Sequence, residues 1–237
     1  DAIMVYLLHC GMDSSNAFHI MEQVRKGKGL SEADIQLMKQ HNVPEWYIES
    51  CFKIKYLFPK AHAVAYAFTA YRAAYFKVHY PAVFYATYLT LDIENVNADI
   101  IIQGEKRVKA EMANILAKGN EATAKDNNMY TVLEIVMEAL ARGIEFLPVD
   151  LYKSDSRKVI PIGNKLLLPL ASLDGVGLNA ANAIVEARQQ GEFISIEDLR
   201  QRAKVSKTVI DALANHNCLK GLSETNQLSL FSDIAEI

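Results

Sequence analysis

The stretch "LDGVGLNAANAIVEAR", residues 173–188, holds residues whose types and spacing suit the binding of an anion. A Gly-x-Gly turn runs directly into an alanine-rich helix. Gly175 and Gly177 free the turn from Cβ atoms, and the amides of Val176, Gly177, Leu178 and Asn179 are expected to point outward at the helix N-terminus. N–H donors at the positive end of a helix dipole stabilise a phosphate group. The bland alternative is a tight turn between packed helices. Downstream, "SIEDLRQRAKVSKTVIDAL" repeats the scheme of helix, short turn and helix, with Val205, Ser206, Lys207 and Thr208 at the turn. This second unit lacks the Gly-x-Gly, so Ser206 and Lys207 must supply its phosphate contacts. No strand of a βαβ unit precedes the glycines and a third glycine is missing, which excludes the dinucleotide fingerprint; no Gly-Lys-Ser/Thr follows, which excludes a Walker loop.

A second constellation follows Pro59. Lys60 stands at the start of a long helical stretch, and His62, Tyr66, Thr69 or Ala70, Ala73 and Lys77 recur at steps of three or four, so they share one face. Val64, Phe68, Tyr71 and Tyr75 form an oilier side. Cations and a ring on a smooth helix face could bind the phosphates and base of a nucleotide; as isolated residues they would equally suit a core or a surface. The third is "VRKGKG", residues 24–29, where Arg25, Lys26 and Lys28 either contact phosphate or simply complement the negative end of a helix.

Other chemistries are missing from the sequence. No Asp-x-Asp pair appears, so no divalent-metal site of the polymerase or nuclease kind is expected here. Asp150, Asp155 and Asp174 lie in turn-rich sequence, where aspartate has an ordinary structural use. No serine or cysteine nucleophile is paired with a base. Cys10, Cys51 and Cys218 are scattered singly, against a zinc site or a disulfide framework and in keeping with a reducing compartment.

The elements that must position these residues are mainly helical. "DSSNAFHIMEQVRKGKG" opens with capping residues and is expected to place Phe18, Met21 and Val24 on one face. In "LSEADIQLMKQHN", Ser31 and Asp34 have the spacing of a capping box with a shortened acid. Pro44 suits the first turn of the next helix. The long helix after Pro59 is closed by Pro81. Beyond a short helix around 82–91, two helices at about 96–118 and 125–143 read as an antiparallel hairpin. Near Gly143 the texture changes to alternation with prolines, and Gly163-Asn164 sits between apolar runs as a hairpin turn. Residues 169–222 are again helical, in short pieces.

The chain has 237 residues, 51% of them hydrophobic, and a formal net charge of -3. That length fits about two compact units, and the charge excludes a uniformly basic, histone-like binder, so any basic patch must be local. No apolar run reaches a membrane span of about 20 residues and no signal-peptide pattern appears. The pattern is already under way at Asp1, as expected of a piece of something longer.

Two helix-turn-helix units back to back, the first with Gly-x-Gly, resemble a tandem helix-hairpin-helix module, a sequence-independent clamp on the DNA backbone. The residues "YIESCFKIKYLFPKAHAVAYAFTAYRAAYFKVHYPAVFYATYLT" resemble the fingers of bacterial C-family replicative polymerases, in particular the PolC-type branch. "GIEFLPVDLYKSDSRK" is similar to that family's connector, and the resemblance extends over the whole chain. It implies a mainly α fold divided into distal fingers (1–145), a connector with a β-hairpin (146–168), a tandem helix-hairpin-helix duplex-binding domain (169–222) and a tail (223–237). It implies that Lys60, His62 and Tyr66 contact the incoming dNTP or the nascent base pair, with Arg25, Lys26 and Lys28 near the phosphates. It implies primer-template duplex gripped through Gly175, Val176, Gly177, Leu178, Asn179, Ser206 and Lys207. Catalytic aspartates and their Mg2+ would belong to a palm preceding residue 1, so this piece would be inactive alone. The setting would be a cytoplasmic bacterial replisome on the nucleoid, with the rest of the polymerase as partner and no membrane. The competing class is a stand-alone helix-hairpin-helix DNA-binding or repair accessory protein.

The tail "NQLSLFSD" is apolar where termini are usually polar. It could fold back as a plug. "QLSLF" also resembles the pentapeptide by which such polymerases bind the β sliding clamp, with Gln227 as polar anchor and Leu228, Leu230 and Phe231 entering an apolar pocket.

Overall fold

The computed structural model describes residues 1–226, and the clamp-type motif at Gln227, Leu228, Leu230 and Phe231 lies outside them. The described chain is mainly α, with twelve α-helices and one small three-stranded sheet. It divides into two compact units, Asp1–Ala74 and Tyr75 onward. No helix among the described residues is long and apolar enough to cross a membrane.

The first unit begins with α1 (Ala2–His9), a helix the sequence pattern did not single out, followed by α2 (Ser14–Arg25), α3 (Glu32–Gln40) and α4 (Glu45–Lys53). Local chemistry sets the starts. Asp13 caps α2 by accepting from the amides of Ser15 and Asn16 at 3.1 and 3.0 Å, and Ser31 and Asp34 form the anticipated capping box on α3. Pro44 is the N-cap of α4 rather than a first-turn residue. The buried face of α2 differs from expectation: Ala17, Ile20 and Val24 are fully buried, whereas Phe18 is 53% exposed. Ile20 and Val24 join Leu7, Met38, Ile48 and Cys51 in one core, with the rings of Tyr6 and Tyr47 stacked at 4.2 Å beside it. The long helix α5 (Lys60–His79) forms as expected and buries none of its residues.

The second unit holds α6 (Pro81–Leu91), in which Pro81 takes the first helical position, where its missing N–H is harmless. The expected helix at about 96–118 is split into α7 (Ala98–Ile101) and α8 (Glu105–Ala117). Gly104 between them has φ +81°, which no helix accommodates. α8 packs on α9 (Ala124–Ala141), the anticipated helical pair, and α9 starts from a Thr123–Asp126 capping box.

The sheet is larger than a hairpin. β2 (Ile160–Ile162) and β3 (Lys165–Leu167) pair antiparallel across Gly163-Asn164, with the positive φ on Gly163 alone, the pattern of a type II′ turn. β1 (Glu145–Leu147) then pairs parallel with β3, in register Phe146 to Leu166. Behind it come α10 (Leu178–Arg188), α11 (Ile196–Ala203) and α12 (Lys207–Asn215). One apolar core runs from Leu89 and Val136 through Ile144, Leu166 and Leu170 to Ile184 and Leu213. Packing is therefore continuous across residue 145, where composition had suggested a boundary.

Candidate nucleic-acid interface

The two hairpins of the second unit are built alike. In the first, a one-turn 3-10 helix, Leu170–Ser172, leads through residues 173–177 into α10; it stands where a full helix was expected. Gly175 has φ +86°. Val176 is buried, and Gly177 is the N-cap with φ −68° and ψ 158°. In the second, Lys204 has φ +51°, Val205 is buried, and Ser206 is the N-cap with φ −74° and ψ 165°. Lys204 thus takes the left-handed position of Gly175, and Ser206 that of Gly177. The absence of glycine does not prevent the second hairpin from forming; it places an exposed lysine at its tip. The sequence pattern missed Lys204, because a lysine in left-handed conformation leaves no local signal.

The glycines of the first hairpin have different tasks. A Cβ on Gly175 would lie 3.5 Å from the Thr208 methyl and would sit on a positive-φ backbone. A Cβ on Gly177 would meet nothing within 4 Å, on an ordinary backbone. The smallness of Gly177 therefore serves no contact among the described residues; it leaves room for something approaching from outside. One amide expected to be free is not: the Val176 N–H donates to the Leu173 carbonyl at 3.0 Å. Gly177, Leu178 and Asn179 keep theirs without an acceptor among the described residues, since the α10 ladder begins with Ala181 donating to the Gly177 carbonyl at 3.0 Å. In the second hairpin the Ser206 hydroxyl accepts from the Val209 amide at 3.4 Å, and Lys207 projects exposed from the first turn of α12.

Half-buried arginines hold this module in shape. Arg188 of α10 donates to the carbonyls of Leu151 and Ser154 at 2.6 and 2.7 Å, and burial pushes its pKa down despite Asp155 and Asp150 nearby. Arg202 of α11 donates to the carbonyls of Ala187 and Gly191 at the end of α10 and lies over the Phe193 ring at 4.6 Å. Asp150 and Asp155 are turn residues as expected, each accepting two backbone N–H bonds at 2.8–2.9 Å.

The first unit brings two sequence constellations together. The Leu57 N–H donates to the Arg25 carbonyl at 2.9 Å, and Gly27 lies so close to the Lys55 carbonyl that a Cβ there would clash at 1.9 Å. The basic turn after α2 is therefore seated against the start of α5, and Arg25 and Lys60 line one cavity of 220 Å³ with Leu57 and Phe58. Its charge is less available than the sequence suggested. Arg25 binds Glu22 through two bonds of 2.6 and 3.0 Å and Lys26 reaches the same carboxylate at 3.0 Å, which hold Glu22 down at about 2. Lys28 and Lys60 are exposed and unpaired among the described residues. His62 lies between Phe58 and Tyr66, with centroids 5.0 and 4.4 Å away and ring planes tilted by 55° and 52°, as an exposed ladder of three rings. Lys77 is tied to Glu138 at 2.7 Å and does not serve the ladder's face. Among the described residues no group of three or more His, Cys, Asp or Glu side chains could hold a metal ion.

Comparison with known proteins agrees with this geometry. Residues 143–228 match the family model of the helix-hairpin-helix motif, which takes in both hairpins and the sheet before them. The chain is 54% identical over 231 residues to a DNA polymerase III PolC-type of Caldanaerobacter subterraneus subsp. tengcongensis and to one of Oceanobacillus iheyensis, and 51% identical to that of Bacillus subtilis. Each alignment covers 98% of this chain but only 16% of the relative, so the chain spans about a sixth of their length. Matched along nearly all of its residues to one stretch of these longer proteins, the chain is a segment of the PolC-type DNA polymerase III family.

Proposed function

We propose that the segment forms the fingers and duplex-gripping portion of a DNA-directed DNA polymerase. The observation that carries this is Gly177: a glycine at a helix N-terminus, whose own amide and the two after it have no acceptor among the described residues and whose missing side chain nothing else in the described chain requires. A DNA phosphate can approach that backbone closely, and contact to phosphate alone is independent of sequence, as copying requires. Ser206, Lys207 and Lys204 serve the second hairpin in the same way. The match along 98% of the chain, rather than over the hairpins alone, favours this reading over a separate DNA-binding accessory protein.

In the same reading Lys60 and Lys28 offset charge on an incoming dNTP, and the Phe58–His62–Tyr66 ladder packs on the nascent base pair. Arg25 and Lys26 join only by releasing Glu22. Catalytic carboxylates and their Mg2+ lie outside this segment, which by itself is inactive. The polymerase works in the bacterial cytoplasm within a replisome, and Gln227, Leu228, Leu230 and Phe231 tether it to the sliding clamp.

The test is made in the full-length polypeptide. Gly177→Glu should weaken binding to primer-template duplexes of every sequence alike; equal affinity for wild type and variant removes the clamp reading. Lys60→Ala and His62→Ala should raise the KM for dNTP strongly, and an unchanged KM refutes the fingers assignment. Deleting residues 227–231 should abolish clamp-stimulated processivity.

A further inference from the structure

Arg157 and Lys125 stand 18 or more residues from the glycine hairpin in sequence, yet both line the same 460 Å³ groove that the hairpin borders. Two stitches bring Arg157 there. The Leu170 N–H donates to the Asp155 carbonyl and the Ala171 N–H to the Ser156 carbonyl, both at 3.0 Å, so the loop before Arg157 is paired with the turn that leads into the hairpin. The Asp155 carboxylate then accepts the Arg157 and Lys158 amides at 2.8 Å each, setting the backbone from which the guanidinium projects. Lys125 lies in the first turn of α9, whose start is set by the Thr123–Asp126 capping box.

Both side chains are exposed, and neither makes an ion pair among the described residues. The groove also holds Glu94 and Asp174. Neither cation closes onto either carboxylate, although elsewhere in this chain exposed lysines and arginines pair readily. Asn95 and Asn97 add uncharged polar lining.

We propose that this groove is a second phosphate-contact site for the duplex, in which Arg157 and Lys125 hold backbone phosphates next to the one seated on the Gly177 hairpin. The proposal rests on the duplex-binding reading and extends it to residues outside both hairpins. Arg157 offers a planar fork that matches two phosphate oxygens, and Lys125 acts as a point charge. Neither reads a base edge, so the contact is blind to sequence.

The experiment measures binding of a random-sequence duplex with a recessed 3′ end to the full-length polypeptide, without nucleotide, across a salt series. Arg157→Gln and Lys125→Gln should each reduce the slope of log K against log salt by about 1, and the double variant by about 2. Arg157→Lys should recover most of the slope, and melting temperatures should stay unchanged because both residues are exposed. Gly177→Glu is measured in parallel. Weakening by both classes of variant supports the proposal. Weakening by Gly177→Glu alone overturns the groove and leaves the hairpin reading standing. Weakening by the groove variants alone overturns the proposal of a second site beside the hairpin, because the groove then binds without the hairpin. No weakening by any variant overturns both.

Discussion

His216 Nδ1 lies 2.6 Å from a carboxylate oxygen of Asp99, joining residues 117 positions apart. The other ring nitrogen, Nε2, accepts the Val149 amide at 3.1 Å. Because that amide can only donate, Nε2 is unprotonated and Nδ1 carries the proton given to Asp99. One imidazole at the end of α12 thus links the second hairpin to α7 and to the segment after β1. The His216 side chain is fully buried, whereas that of Asp99 is 47% exposed.

His216→Ala should therefore destabilise the second unit by about 1–3 kcal/mol, mainly by leaving the buried Val149 N–H unpaired. Asp99→Ala should cost less, below about 1 kcal/mol, since water can replace a half-exposed carboxylate. Denaturant unfolding of both variants measures the difference; equal losses would contradict this division of roles.

Gly175 and Gly177 should separate by stability. Gly175→Ala places an L-residue at φ +86° and should lose about 1–2 kcal/mol. Gly177→Ala meets open space on an ordinary backbone, so its melting temperature should match that of the wild type. A large loss at Gly177 would show that its role is structural.

Acid should loosen the start of α9. Hydrogen bonds from Lys118 and Thr123 lower the Asp126 pKa from the ordinary 3.8 to about 2. The folded value lies below the unfolded one, so this contribution is complete above about pH 4 and disappears as pH falls toward about 2. The protection of the Asp126 amide against hydrogen exchange, relative to an unfolded chain at the same pH, should fall over that window, because its bond to Thr123 Oγ1 at 3.1 Å is loosened, and Asp126→Asn should flatten the dependence.

Among the described residues the buried Tyr85 hydroxyl has no hydrogen-bond partner of good geometry. Burial, with help from the nearby Glu138 charge, pushes its pKa up to about 12. The Glu138 carboxylate is itself held by Lys77 at 2.7–2.8 Å. Tyr85→Phe should consequently be neutral or stabilising by up to about 1 kcal/mol, because it removes a desolvated hydroxyl and keeps the ring. Thermal unfolding decides, and a loss beyond that size would mean that the hydroxyl has a partner in solution.

Features governed by neighbours a few residues apart were legible in the sequence. The Ser31–Asp34 capping box, the stop and restart around Pro81, the Gly163-Asn164 turn and the Gly-x-Gly hairpin all formed where their chemistry demanded, since a cap, a proline or a positive φ acts within one turn of chain. The split at Gly104 was also local; a periodic apolar pattern continued through it and hid it.

Tertiary structure decided which of these features meet. The parallel pairing of β1 with β3, the single core across residue 145, the seating of Arg25 beside Lys60 and the placing of Arg157 and Lys125 at the hairpin all depend on backbone pairing and apolar packing between distant residues. Tertiary structure also sorted the charges: Arg25, Lys26 and Lys77 are drawn into ion pairs, while Lys60, Lys204 and Arg157 are exposed and unpaired among the described residues. The sequence by itself determined a mainly helical chain with a Gly-x-Gly turn opening onto a helix N-terminus at Gly177. Which cations surround that opening was decided only by folding, because a charge is available to a ligand only when no carboxylate of its own chain has been packed beside it.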